Sequence, residues 1–371
     1  MKERQSFFDV LKGIGIVYVF LGHELFYGSL GFSTIFLFHM PLFFLISGYF
    51  FNADSIDGVR TLFSRFLRNL LAPSFVFLTI AAANAAVWGN LVSADHAVNV
   101  DRLKSFLRGQ PYLLESLWFV VCVFWSQLIV WLVSRIPNSI RLKRRLPMHW
   151  ADWLSARWPQ VRDGSLVVLM FALAHVLSKE FSDFSQDVPL KLMSVPMCVV
   201  FVGLGVLLRP WLQKLAEVRF GVTVSLAVSA ALLAVVAIAA QFGHRTTNLC
   251  NVTYSTTVMF ILGTSAGICS SLALAKALDR GLARKVMAYV GRNSMMFFLM
   301  EAVVLMNFIK AANSLGFKTV HSLLFADSEA PWGWRMTMAV AGLVLTAALL
   351  PLINPVLRLV KRPFLLRTAK T

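Results

Sequence analysis

Ten times along this chain a run of about 20 mostly apolar residues recurs, the length a helix needs to cross the hydrocarbon core of a bilayer. The runs lie at about 9–27, 32–52, 70–90, 113–134, 165–181, 190–208, 220–241, 254–275, 293–313 and 336–357. A water-soluble chain could not bury them all. Of the 371 residues, 58% are hydrophobic and 14% charged, against roughly 25% charged in ordinary globular proteins. The expectation is an all-α polytopic membrane protein of about ten transmembrane helices, forming a single integral membrane domain over residues 1–371.

The net charge of +17 would suggest nucleic-acid binding in a soluble chain. Here its distribution argues for topology instead. With a cytoplasmic N-terminus, the inner segments carry 25 of the 35 Lys and Arg, the outer loops and edges 8, and the spans 2. That bias predicts N-in and C-in under the positive-inside rule. The run Arg141-Leu142-Lys143-Arg144-Arg145 lies in the most basic inner loop, so orientation accounts for it without a partner; contact with anionic membrane lipid or an anionic substrate is the lesser reading, and no nucleic acid is required.

Asp9, Lys12, His23 and Glu24 interrupt the first apolar run, which therefore reads as a retained helix and not a cleaved leader. Cys122, Cys198, Cys250 and Cys269 have no metal-ligand spacing, and three of them fall within spans, so neither a metal site nor a disulfide framework is expected.

An ionisable group at bilayer depth costs at least about 2.5–3.5 kcal/mol to insert, so such residues are the first functional candidates. They are Asp9, Lys12, His23 and Glu24 in span 1, His39 in span 2, His175 in span 5, and Glu301 and Lys310 in span 9. Lys12 and His23 are eleven residues apart, about three full turns, so they share one helix face about 16 Å apart along the axis. Asp9 precedes Lys12 by three residues and can pair with it. Gly13, Gly15 and Gly22 leave room for a neighbouring helix or a ligand. Span 2 carries Phe38-His39-Met40-Pro41, and its proline, expected at a helix centre, frees a carbonyl that another group must satisfy. The short connection at Gly28 to Gly31 makes spans 1 and 2 antiparallel neighbours and lets His23 and His39 approach each other. His175 reads as a hydrogen bond between helices, Lys310 as a snorkelling side chain, and Glu24 as facing the outer headgroups.

Phe8-Asp9-Val10-Leu11-Lys12-Gly13-Ile14, followed by Gly22-His23, resembles the opening of the acyltransferase-3 integral membrane family, in which a basic residue precedes a histidine by ten intervening positions. Phe38-His39-Met40-Pro41-Leu42-Phe43-Phe44 and Ser47-Gly48-Tyr49 resemble its second signature. Weaker matches follow at Arg65-Phe66-Leu67-Arg68 with Pro73, Leu117-Trp118-Phe119, Val202-Gly203 with Leu204-Gly205, and Tyr289-Val290-Gly291-Arg292-Asn293-Ser294.

The resemblance implies transfer of an acyl group, usually acetyl, from a coenzyme A thioester such as acetyl-CoA to a hydroxyl of a cell-envelope carbohydrate or lipid-linked glycan. It implies a bacterial inner membrane, with acetyl-CoA as a substrate and no resident cofactor. His23 takes the role of essential base and Lys12 that of its basic partner, with His39 and Glu301 as further catalytic candidates. Lys12, Arg65, Arg68 and Arg292 are the candidates for meeting the donor's phosphates. The family commonly has arginine where Lys12 stands and histidine where Glu301 stands. Oxyanion donors are sought among His39, Ser47, Tyr49 and Trp118. The alternative is a proton-coupled secondary transporter or flippase using the same charges; it calls for repeat symmetry and paired broken helices, which the chain does not display.

Overall fold

The computed structural model describes residues 2–25, 29–77, 79, 117–137, 152–153, 156–181, 188–244, 246–301, 304 and 332–366. All regular structure among them is helical: α1 (Lys2–Glu24), α2 (Leu30–Phe36), α3 (His39–Phe50), α4 (Val59–Phe66), α5 (Leu117–Ser134), α6 (Trp158–Phe181), α7 (Val195–Leu207), α8 (Arg209–Glu217), α9 (Val222–Phe242), α10 (Thr257–Leu278), α11 (Gly281–Arg292) and α12 (Trp332–Leu366). A further helical stretch covers 294–301.

Seven stretches among the described residues are long and apolar enough to span a membrane: Ser6–Glu24, Leu30–Phe50, Trp158–Phe181, Pro189–Leu207, Val222–Phe242, Thr257–Leu278 and Arg335–Val360. The run expected at 113–134 is the shorter apolar helix Trp118–Ser134. The runs expected at 70–90 and 293–313 fall largely outside the described residues, as does Lys310. The fifth expected run starts earlier than its hydrophobicity suggested. Arg162 donates to Asp163 at 2.7 Å, and the neutralised pair lets α6 begin at Trp158.

Apolar side chains face outward, and small polar ones are turned inward, as a lipid solvent selects. On α9, Val224, Val228 and Ile238 are exposed while Ser225 and Ser229 are buried. Ser229 and Ser270 of α10 bond to one another at 2.9 Å, so each hydroxyl is satisfied within the protein. Two helix pairs cross closely at glycine. Gly13 of α1 packs on the Met287 backbone and Gly291 of α11 on the Asp9 carbonyl. Gly48 of α3 and Gly205 of α7 meet the opposing backbones at Val202 and Leu45 in the same way. The room left by Gly13 is thus filled by a neighbouring helix, that left by Gly15 by the Phe43 ring, and that left by Gly22 by Ile35 and Phe36.

One end of the bundle gathers the start of α1, α4, α8 and α11, as Arg284 donating to Ser6 at 2.8 Å illustrates. Basic side chains close it by bonding carbonyls. Arg209 donates to Gly48 (3.3 Å) and Phe51 at the end of α3. Arg135 donates to Ala53 (3.3 Å) and Ile56, and Lys276 to Ala216 (2.9 Å) and Val218 (2.7 Å). Burial holds the Arg209 guanidinium below its usual range; an arginine stays protonated at neutral pH all the same. This basic end groups the segments that the charge bias assigns to the cytoplasm.

Span 2 is not one helix. It breaks at Leu37 and Phe38, so Pro41 occupies the first turn of α3, not a helix centre. There a missing N–H costs nothing, because the first amides of a helix have no intrahelical acceptor. The Leu37 carbonyl, four residues before Pro41, accepts from the Thr264 hydroxyl of α10 at 2.9 Å. The group that the proline requires is therefore a threonine, contributed from a distant span.

Candidate active site

At the end of α1 away from the basic end, His23 presents its imidazole to the helix 294–301. Its Nδ1 lies 2.9 Å from Glu301 Oε1. Glu301 is the last residue of that stretch, and its side chain is 4% exposed, against 35% for His23. A buried carboxylate facing Nδ1 selects the tautomer with the proton on that nitrogen, leaving Nε2 as the ring's acceptor nitrogen.

Two further charged groups stand beside this pair. The Glu24 carboxylate interacts electrostatically with Glu301, His23 and Arg335. Arg335, 8% exposed at the start of the last span, donates to the Glu24 carbonyl at 2.7 Å, capping the end of α1. Glu24 is therefore part of an internal polar cluster and does not simply face the headgroups. Arg335 escaped the sequence argument because it counted there only as an outer-loop charge; its place just before an apolar run was the available signal.

His39 opens α3 immediately after the break. It is 2% exposed, and its Nδ1 lies 2.8 Å from the Ile35 carbonyl, so Nδ1–H is the donor of the neutral ring. The Phe36 ring stands between the two histidines, its centroid 4.8 Å from His39 and 6.1 Å from His23. The expected approach of His23 and His39 thus takes place around an aromatic ring. No side chain caps the first amides of α3.

Lys12 does not join this cluster. It donates to Asp9 at 2.8 Å, as its spacing suggests, and lies over the Phe50 ring at 5.2 Å. Three turns of α1, about 16 Å, separate it from His23. Ser47 and Tyr49 sit about 12 and 15 Å further along α3 than His39, towards Lys12. Tyr49 stacks on Phe8 at 3.9 Å, and Ser47 accepts from Gln127 at 3.0 Å. Trp118 packs beside Phe44. His175, expected to bond between helices, instead places Nδ1 3.1 Å from the Phe171 carbonyl one turn back on its own helix.

The remaining basic candidates lie at the basic end. Arg65 donates to the Ser55 hydroxyl (3.0 Å) and carbonyl (2.6 Å). Arg68 donates to Asn69 at 3.3 Å. Arg292 lines a cavity of about 330 Å³ together with Asn69, Asn293, Met295, Met296, Asn354, Leu357 and Arg358. Among the described residues, no group of three or more His, Cys, Asp or Glu could hold a metal ion.

The model of a family described as an acyltransferase domain matches residues 5–353 of this chain. No curated protein and no solved structure matches it.

Proposed function

We propose, for a chain that belongs to the acyltransferase-3 family and is a membrane acyltransferase, the transfer of an acetyl group from acetyl-CoA to a hydroxyl of a cell-envelope carbohydrate or lipid-linked glycan. The setting is a bacterial inner membrane with both termini in the cytoplasm. The observation that carries the reading is the 2.9 Å contact between His23 Nδ1 and the buried Glu301 carboxylate.

A hydroxyl attacks poorly until a base removes its proton. His23 Nε2 takes that proton as the acceptor oxygen bonds to the thioester carbonyl carbon. Glu301 holds the ring in the required tautomer and stabilises the imidazolium that forms. The negative charge on the carbonyl oxygen meets the uncapped amides at the start of α3. Collapse of the tetrahedral intermediate breaks the carbon–sulfur bond, and the departing thiolate takes the proton back from His23. An ester and free coenzyme A result. His39, whose Nδ1–H is already bonded to Ile35, positions the wall around Phe36. The donor's phosphates remain at the basic end among Lys12, Arg65, Arg68 and Arg292, while its thiol arm extends towards His23.

Membranes containing His23→Ala or wild-type protein at equal levels, supplied with radiolabelled acetyl-CoA and envelope glycan, test the reading. Loss of labelled glycan by about 10²–10⁴-fold is expected. Acetylation at the wild-type rate would sink the mechanism, and accumulation of a solute in sealed vesicles without acetylation would favour a transporter.

A further inference from the structure

The cavity at the basic end is built from three separate parts of the chain. Asn69 comes from the turn after α4, Arg292 and Asn293 from the end of α11, and Asn354 and Arg358 from α12. No acidic residue is among the described residues that line it.

Residues of α12 are sorted around it by helical phase. Leu352, Val356 and Leu359 form a stripe 72%, 47% and 63% exposed, the face for lipid. Asn354 and Arg358 are four residues apart and so share a second face. Asn354 lies on the far side of the helix from the lipid stripe, and Arg358 about 100° from Leu359, the stripe's nearest member. Asn354 is half-buried and Arg358 exposed, and both line the cavity beside Leu357, which is 3% exposed. Cytoplasmic charge bias accounts for an arginine somewhere in this segment, but not for an Asn–Arg pair that lines one cavity with two further asparagines and a second arginine. Arg68 donates to the Asn69 carbonyl oxygen, which leaves the Asn69 amide N–H groups to donate elsewhere. Asn293 spends one N–H on the Tyr289 carbonyl at 2.8 Å and keeps another. The lining is thus rich in donors and positive, with a third guanidinium, Arg68, at its edge. Such a concave site concentrates anions, and guanidinium forks match phosphate oxygens in pairs.

We propose that this cavity is a binding site for a phosphate-ester anion, gripped by Arg292 and Arg358 and oriented by Asn69, Asn293 and Asn354. Its position supplies a direction. The helix 294–301 starts at the cavity with Met295 and Met296 and ends at Glu301. From Asn293 to Glu301 the rise is about 12 Å. A ligand whose pyrophosphate sits here can run its arm along that helix to the His23–Glu301 pair, as the acyl donor must. In that arm the inference rests on the transferase reading; anchoring of an anionic lipid headgroup uses the same chemistry without it.

The test is calorimetric titration of inorganic pyrophosphate into the purified full chain in zwitterionic lipid nanodiscs. Wild type, Arg292→Gln, Arg358→Gln and Arg358→Lys are compared, with thermal unfolding as a check on folding. Saturable one-to-one binding is expected, weakened about 10-fold or more in either Gln variant. The Lys variant, which keeps charge but loses the fork, should fall between them. Displacement of pyrophosphate by coenzyme A identifies the donor as occupant; displacement only by anionic phosphatidylglycerol identifies a lipid headgroup. Either upholds the site. No pyrophosphate binding at millimolar concentration, or equal binding in wild type and both Gln variants, overturns it. Normal coenzyme A binding with no acetyl transfer to any glycan would instead leave the site standing and remove the transferase reading.

Discussion

Glu301 places its carboxylate 2.9 Å from His23 Nδ1, though 278 positions separate the two residues. Glu301 is almost fully buried and His23 is not; in the proposed mechanism the carboxylate orients and the imidazole reacts. Glu301→Gln keeps the shape and loses the charge that stabilises an imidazolium. It should lower acyl transfer by about 10²-fold or more with little change in protein level, by analogy with carboxylates that orient histidine bases. Glu301→Ala should lower it further. Wild-type turnover in Glu301→Gln would remove the carboxylate from the mechanism.

Thr264→Val is nearly isosteric and removes the hydroxyl that bonds the Leu37 carbonyl. A buried carbonyl left without its donor costs about 1–3 kcal/mol. Thermal unfolding in detergent should detect that loss. Transfer activity should also fall, because the break it supports sets the position of His39 and Phe36. Unchanged stability would mean that another group satisfies the carbonyl.

Gly291→Ala should be severe. A methyl there falls onto the Asp9 carbonyl at the α1–α11 crossing, where backbone and not a yielding side chain blocks it. Reduced expression or unfolding at lower temperature is expected, and any folded protein should lose transfer activity, since α1 carries His23. Gly58→Ala meets open space and serves as the control.

Arg335→Met removes the donor to the Glu24 carbonyl and the positive charge beside Glu24 and Glu301. Hydrogen bonds to charged groups are worth about 1.5–3 kcal/mol, so stability should drop on that scale. Arg335→Lys should restore part of it. If both variants unfold and turn over as wild type does, Arg335 has no part in holding α1.

Helical phase and the cost of buried charge made much of α1 legible: the Asp9–Lys12 pair and the separation of Lys12 from His23 both follow from position along one helix. The partner of His23 was not legible in the same way. Glu301 stood out as an intramembrane charge, yet no local rule joins it to a residue on the first span. The break in span 2 was half visible, since Pro41 signalled a freed carbonyl but not which residues would unwind. Arg335 and Arg358 were hidden among the charges that set orientation. Only folding distinguishes an arginine at a surface from one buried in the bundle, as Arg335 is, or from one that lines a cavity, as Arg358 does.

The arginines and lysine that close the basic end have a consequence for assembly. Arg135, Arg209 and Lys276 belong to the set whose asymmetry is expected to orient the chain on insertion, and the same groups then hold the ends of neighbouring helices by their carbonyls. A span threaded in the wrong direction carries its cation to the far side of the bilayer and leaves those carbonyls bare. Misorientation therefore leaves those helix ends unlatched, so the groups that orient the chain also bind it together once oriented.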